Sequence, residues 1–177
     1  MKRVAIALAF VGTLLPVALR AQSPPTPGPE HKKLEIWVGD WTSEGRDYAT
    51  PLGPAGSSSG KVAVRSILGG FSVQFDGEWK SAAGVGRWHE FDGYDPATKK
   101  YMWFASDSFG GLQMVTYTID GTNVVYDGTT VAGGKRYPIK GTVVFAPDFK
   151  SYVEKREVSL DGRTWMPLWE SKATKTK

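Results

Sequence analysis

The sequence predicts an all-β protein, an antiparallel up-and-down barrel of about ten strands with a short N-terminal helical plug. From Gly60 onward, glycine and aspartate turn signals recur about every dozen residues, and the segments between them are rich in β-branched and aromatic residues. After residue 38 no segment shows a helical period, so no helix is available to cover open sheet edges. Closure into a barrel removes those edges, whereas an open sandwich, the alternative, leaves two of them exposed.

The chain begins with the features of a secretory signal peptide. Lys2 and Arg3 form a basic start, Val4–Leu19 is largely apolar, and cleavage is predicted after Ala21. An uncleaved membrane anchor is the alternative, but Pro16 interrupts an apolar segment that is already short for a transmembrane helix. We therefore expect the mature protein to be periplasmic or secreted.

Composition argues against several classes of function. The 177-residue chain has a net charge of +4, and removal of residues 1–21 takes away three basic residues and no acidic one, which leaves +1. A near-neutral domain lacks the positive surface of a nucleic-acid binder. Charges on both faces of the predicted strands argue against stable membrane insertion. The chain has no Cys, so its hydrophobic core must suffice without disulfides, and the oligomeric state stays open.

The mature chain is predicted to contain three segments: a Pro-rich tether at residues 22–29, the barrel at residues 30–172 and a basic tail at residues 173–177. Residues 49–60 are rich in Pro, Gly and Ser and predict a flexible loop, either a lid at one mouth of the barrel or a plain connection. The predicted strands are residues 40–48, 61–68, 71–80, 87–94, 100–107, 112–119, 123–131, 136–145, 150–159 and 164–172.

The segment before the first strand predicts the plug. Leu34, Trp37 and Val38 lie at helical spacing, which indicates one or two turns of helix ended by Gly39. The continuation Gly39-Asp40-Trp41 resembles the opening of lipocalin-like (calycin) barrels. In those barrels a Gly-x-Trp begins the first strand, and the resemblance implies that Trp41 packs across the barrel base.

A longer match is more specific. The segment His89–Asp95, followed by Lys99–Tyr101 and preceded by Leu68–Phe71, resembles the bacterial family called domain of unknown function 1579. The order of elements agrees from about Pro29 to Lys172, and the resemblance implies a lipocalin-like barrel, often exported, with no catalytic residues to carry over. Nitrobindin is a more distant comparison, a barrel that binds haem through a His in a late strand. Residues 135–172 contain no His, so we expect neither haem bound in that manner nor another cofactor.

Strand periodicity gives two carboxylate pairs. The residues expected to point inward from the third predicted strand are Phe71, Val73, Phe75 and Trp79. Asp76 and Glu78 share the opposite face of that strand, and Glu90 and Asp92 share one face of the next. Each pair is close enough for coupled acid–base chemistry. Alternation of this kind is typical of a solvated strand face, which is our prediction for both pairs.

The chain has two His and no convincing catalytic group. His31 stands beside two Lys and is expected to be exposed. His89 shares a strand face with Phe91, and a metal or acid–base site there would need a carboxylate from a neighbouring strand. The candidates are Asp76, Glu78 and Asp107. We predict a hydrogen-bonded His at the barrel surface or wall and no metal. Gly56–Gly60 has the outline of a Gly-x-Ser-x-Gly motif, but its predicted loop lacks the flanking strand and helix of a nucleophile elbow.

The aromatic content, with 7 Trp, 7 Tyr and 8 Phe, is the strongest functional indication. Rings with polar atoms suit an amphipathic ligand, although rings also fill barrels that hold none. The predicted ligand-binding residues are Trp41, Trp88, His89, Tyr94, Tyr101, Trp103 and Tyr117, with Tyr126 and Trp169 as further cavity-lining candidates. We predict an exported barrel that binds a small apolar or amphipathic molecule without catalysis. The alternatives are an enzyme that uses His89 with a cross-strand carboxylate and a ligand-free structural or envelope-interaction module.

Overall fold

The computed structural model describes residues 25–177, so the predicted signal peptide and the first three residues of the tether lie outside it. Ten antiparallel strands follow one another around a closed barrel, in which the last strand pairs with the first. The predicted barrel and its N-terminal helical plug are confirmed. The strands are β1 (Gly39–Asp47), β2 (Gly56–Ile67), β3 (Ser72–Ser81), β4 (Gly84–Asp95), β5 (Lys100–Asp107), β6 (Leu112–Asp120), β7 (Asn123–Ala132), β8 (Lys135–Phe145), β9 (Ser151–Ser159) and β10 (Trp165–Lys175).

The plug consists of helix α1 (Pro29–Lys32) and a 3-10 helix (Lys33–Ile36), and a second 3-10 turn covers residues 68–70. Trp37 is buried and packs edge-on against Phe145, with 4.9 Å between ring centroids. The Trp41 indole N–H donates to the Trp37 carbonyl oxygen at 2.8 Å. This bond joins the plug to β1. Together with the packing of Trp37 on Phe145, it closes one end of the barrel. None of the helices formed by residues 25–177 has the length and apolar character needed to span a bilayer.

His31 is packed against the barrel, so the expectation that it is exposed is wrong. Its ring makes edge contacts with Phe71 and Tyr94, at centroid distances of 4.9 and 5.7 Å. Its Nδ1 atom accepts a hydrogen bond of 3.1 Å from the Gly28 amide. The docking of the plug brings His31 over these two rings, a tertiary contact that its charged sequence neighbours do not indicate.

The loop between β1 and β2 is shorter than predicted, because β2 begins at Gly56 and pairs with β1 as far as Asp47. Small residues allow this pairing. A Cβ atom at Gly60 would lie 2.9 Å from the Ser43 Oγ, so the glycine lets the two strands lie close together. The segment Gly56–Gly60, which has the outline of a nucleophile motif, is therefore the start of a strand rather than a loop.

The last strand is also longer than predicted and takes in most of the expected basic tail. Ala173 is buried, and Lys175 pairs with Trp41 in the β1–β10 ladder. The Lys175 ammonium donates to the Val38 carbonyl oxygen at 2.8 Å and lies 4.7 Å from the centre of the Trp41 ring. These interactions hold the end of the chain against the plug, where a composition argument predicts only a solvated tail.

Candidate functional site

A cavity of about 250 Å³ lies inside the barrel, and its walls combine aromatic rings with charged groups. The aromatic wall residues are Trp37, Trp41, Phe75, Trp79, Trp88, Trp103, Tyr152 and Trp169. The charged wall residues are Asp47, Lys61, Glu90, Asp92, Asp107, Glu154 and Arg156. A concave, mostly apolar site with a small number of polar groups is the usual form of a small-molecule site.

Strand alternation places two carboxyls inside the barrel. Asp92 is only 2% exposed, and the Tyr117 hydroxyl donates to its Oδ2 atom at 2.6 Å. Its Oδ1 atom has no hydrogen-bond partner among residues 25–177. Glu90, two residues earlier on β4, lines the same cavity. The prediction of a solvated face is therefore wrong for this pair, because alternation defines two faces without saying which one is inside.

The two carboxyls affect each other's ionisation. Burial and the nearby charge of Asp92 raise the pKa of Glu90 well above its ordinary value, although the charge of Arg156 acts in the opposite direction. Burial raises the pKa of Asp92 to about 7, opposed chiefly by the hydrogen bond from Tyr117. Since two adjacent buried carboxylates are costly, the pair retains a proton near neutral pH.

Arg156, on β9, makes three hydrogen bonds inside the barrel. Its Nε donates to the Tyr126 hydroxyl at 2.8 Å, and its two terminal nitrogens donate to Gln113 Oε1 at 2.9 Å and Glu154 Oε1 at 3.0 Å. Its guanidinium carbon also lies 4.1 Å from the centre of the Trp169 ring. Burial lowers the pKa of Arg156, but Tyr126 and Glu154 outweigh it and keep the group charged. The guanidinium is thus held by residues of the barrel itself.

Three indole groups in the cavity wall have donors to offer. The Nε1 atoms of Trp37, Trp103 and Trp169 are buried and have no acceptor among the described residues. Trp103 stacks at a tilt on Tyr117, at a centroid distance of 5.7 Å, so its ring is fixed by the core while its N–H stays available. The cavity therefore presents a free acceptor at Asp92 and free donors at the indoles.

Trp79 and Trp88 line the end of the cavity away from the plug, and Phe109 packs against Trp79. The centroid of Trp79 is 5.9 Å from that of Trp88 and 5.6 Å from that of Phe109. Asp47 and Asp107 also line this part of the barrel. Burial raises the pKa of Asp47, partly offset by a hydrogen bond from Ser58.

Three of the predicted ligand-binding residues, Trp41, Trp88 and Trp103, line the cavity. A fourth, Tyr117, is fully buried and holds the Asp92 carboxyl in place through its hydroxyl. The sequence therefore predicted part of the aromatic wall and one residue that positions the Asp92 carboxyl.

The other three predicted residues lie elsewhere. Tyr94 and Tyr101 pack together near the plug, 5.2 Å apart, and the Tyr101 hydroxyl donates to the Glu30 carboxylate at 2.8 Å. His89 lies on the outer surface, where 64% of its side chain is exposed and Nδ1 bonds to an oxygen of Asp76. The cross-strand His–Asp pair anticipated from sequence thus forms, but outside the cavity.

Sequence reasoning missed the charged residues contributed by β9. Glu154 and Arg156 share the inward face with Tyr152 and the fully buried Val158, while Lys155 lies on the outer face. That alternation is present in the sequence and could have placed both charges inside. Within residues 25–177, no group of three or more His, Cys, Asp or Glu side chains is positioned to hold a metal ion.

Comparison with known proteins supports the barrel fold. The crystal structure of Rv2717c from M. tuberculosis aligns with a TM-score of 0.61 and 8% identity, over 85% of this chain and 99% of that one. The S-type phycobiliprotein lyase CPES from Guillardia theta aligns with a TM-score of 0.58 and 12% identity, over 84% and 93%. No curated protein sequence matches significantly. A family model matches residues 26–159, and the chain therefore belongs to the family described as protein of unknown function (DUF1579).

Proposed function

We propose that this protein is exported and holds a small amphipathic molecule in its barrel without catalysing a reaction on it. One observation carries the binding proposal: the aromatic cavity contains polar atoms, including Asp92 Oδ1 and the Trp103 indole nitrogen, without partners among the described residues. A buried polar atom without a partner costs free energy. A ligand with matching donors and acceptors would remove that cost.

Two further observations support the proposal. The similar barrel of the S-type phycobiliprotein lyase shows that this fold occurs in at least one protein named for a biochemical activity. Export is supported by the basic residues Lys2 and Arg3, the apolar segment Val4–Leu19 and the polar residues that follow it.

The enzyme alternative based on His89 has less support. Its ring lies on the outer face of β4, bonded to Asp76, and neither residue lines the cavity. A catalytic His must reach the reacting group of a bound substrate. A pair on the convex outer wall of the barrel has no enclosed site in which to hold one.

Native mass spectrometry of the full chain, purified after export, tests the proposal. We expect an additional mass that disappears on denaturation and a change in the absorbance spectrum if the ligand absorbs. The processed N-terminus, read from the denatured mass, tests export through cleavage after Ala21.

A pair of variants on β5 makes the experiment specific for the cavity. Ala105→Phe introduces a ring into the cavity wall, whereas Met102→Phe introduces the same ring on the outer face. We expect the additional mass to be lost in the first variant and retained in the second, with both variants folded by circular dichroism. A bare polypeptide mass in the native protein, or a ligand retained in both variants, contradicts binding in the cavity and favours the structural module.

A further inference from the structure

The cavity carries an excess of negative groups. Five carboxyls line it: Asp47, Glu90, Asp92, Asp107 and Glu154. The basic residues in its wall, among those the structure describes, are Lys61 and Arg156. The Lys61 side chain is 71% exposed and its ammonium is 3.5 Å from Glu78 on the outer face, so Arg156 supplies the positive charge of the interior.

That positive charge is already matched. Arg156 donates to Glu154 and is also bound by Gln113 and Tyr126, as described above. Glu90 and Asp92 form no salt bridge with any basic residue of the described chain. Asp92 combines near-complete burial with an unpartnered Oδ1 atom in the cavity wall. Such a group indicates a missing partner that is positive or donates a hydrogen bond.

The surrounding rings suit the same kind of partner. Trp37, Trp41, Phe75 and Trp103 line the cavity together with the two carboxyls. The face of an aromatic ring attracts a cation, most strongly where water is excluded, and the same rings bury apolar surface. An inorganic cation would gain little from such walls, whereas an organic cation would gain from both the rings and the carboxyls.

We infer that the cavity is selective for an organic cation, a protonated amine carried on an apolar body, whose ammonium group is held by Glu90 and Asp92. This inference rests on the proposed function, because it names the ligand class of the same cavity. The ammonium donates to the free Asp92 oxygen and to Glu90, and the apolar body lies among the rings. An acceptor atom elsewhere on the ligand can receive the Trp103 indole N–H. A carboxylate ligand would instead meet an acidic pair with which no basic residue of the described chain forms a salt bridge.

Three probes with one ring system and different charge test the inference: naphthylmethylammonium, naphthalenemethanol and naphthoate. In isothermal titration calorimetry of the ligand-free full chain at about pH 8, we expect the ammonium to bind at least about tenfold more tightly than the alcohol, and naphthoate most weakly. At about pH 5, where the acidic pair is more protonated, we expect the ammonium affinity to fall by about tenfold or more. Since binding releases the retained proton, the measured enthalpy should differ between phosphate and Tris buffers.

Variants identify the groups responsible. Glu90→Gln and Asp92→Asn keep the side-chain shape and should each weaken ammonium binding by about tenfold, while changing the affinity for the alcohol little. Asp76→Asn, on the outer face of β3, should leave both affinities unchanged.

The outcomes separate the ligand class from the proposed function. Equal affinity for the alcohol and the ammonium overturns the cation inference while leaving binding in the cavity intact. Preference for naphthoate also overturns it and indicates Arg156 as the anchoring group. Binding of none of the probes overturns it too, while the native-mass experiment on Ala105→Phe decides the proposed function independently.

Discussion

Strands β3 and β4 are paired neighbours in one barrel, yet they have opposite polarity. On β3 the apolar Phe75 faces inward and Asp76 faces out, as expected for a sheet that covers a core. On β4 the acidic Glu90 and Asp92 face inward, and Phe91 faces out with 48% of its surface exposed. Burying a carboxyl where a Phe or Val would stabilise the core costs free energy. The difference supports the proposal that the inner face of β4 serves binding.

The outer surface of β4 and the next two strands carries a row of apolar residues. Phe91 of β4 lies directly opposite Phe104 of β5, which lies opposite Met114 of β6. All three are exposed large apolar residues. In this part of the barrel, large apolar residues lie on the outer surface, while the inner face of β4 carries Glu90 and Asp92.

Substituting one inward-facing and one outward-facing Phe should show the largest difference in the free energy of unfolding. Phe75→Ala removes a ring from the core and should lower the free energy of unfolding by about 3 kcal/mol. Phe91→Ala removes a ring that is half in water and should change it by less than about 0.5 kcal/mol. Urea denaturation of both variants, followed by Trp fluorescence, measures the difference. Equal losses would show that the outer apolar row is covered in the folded protein.

The pH dependence of stability tests the inner face of β4 next. The pKa of Asp92 is about 7 in the folded chain, above the ordinary value near 4 of an unfolded Asp. The folded state therefore binds more protons between these values, so the contribution of Asp92 to stability is greatest below about pH 4 and is lost as the pH rises through 7. Asp92→Asn should remove this loss and raise the unfolding free energy at about pH 8 by about 2 kcal/mol, with little effect at about pH 4.

Denaturation curves at several pH values measure this effect, with Asp76→Asn as the matched control on the outer face of β3. The control should retain the pH slope of the native protein. A slope that persists in Asp92→Asn would mean that another group, such as Glu90, carries the linkage. A stability difference between Asp92→Asn and the native protein that does not grow as the pH rises from about 4 to about 8 would contradict a raised pKa of Asp92.

The barrel was predictable from sequence because turn residues and strand composition are local properties. Which side chains point into the barrel was less predictable. The alternation of Glu90 and Asp92 with His89 and Phe91 is plain in the sequence, but a strand with two large apolar or aromatic groups on one face and two acids on the other is normally assigned with its acids outside. The pairing of Phe75 with Glu90, which places both on the inner wall, becomes visible only with the register of β3 and β4.

The smallest expected effect concerns the outer pair of His89 and Asp76. The two side chains are 64% and 43% exposed, and exposed pairs of this kind contribute little. His89→Ala should therefore change the unfolding free energy by less than about 0.5 kcal/mol and leave the affinity for naphthylmethylammonium unchanged. Glu90→Gln, one residue along the same strand but on its inner face, should weaken that affinity by about tenfold. Loss of binding in His89→Ala with retention in Glu90→Gln would reverse the assignment of the two faces and place the functional group of β4 on the outside of the barrel.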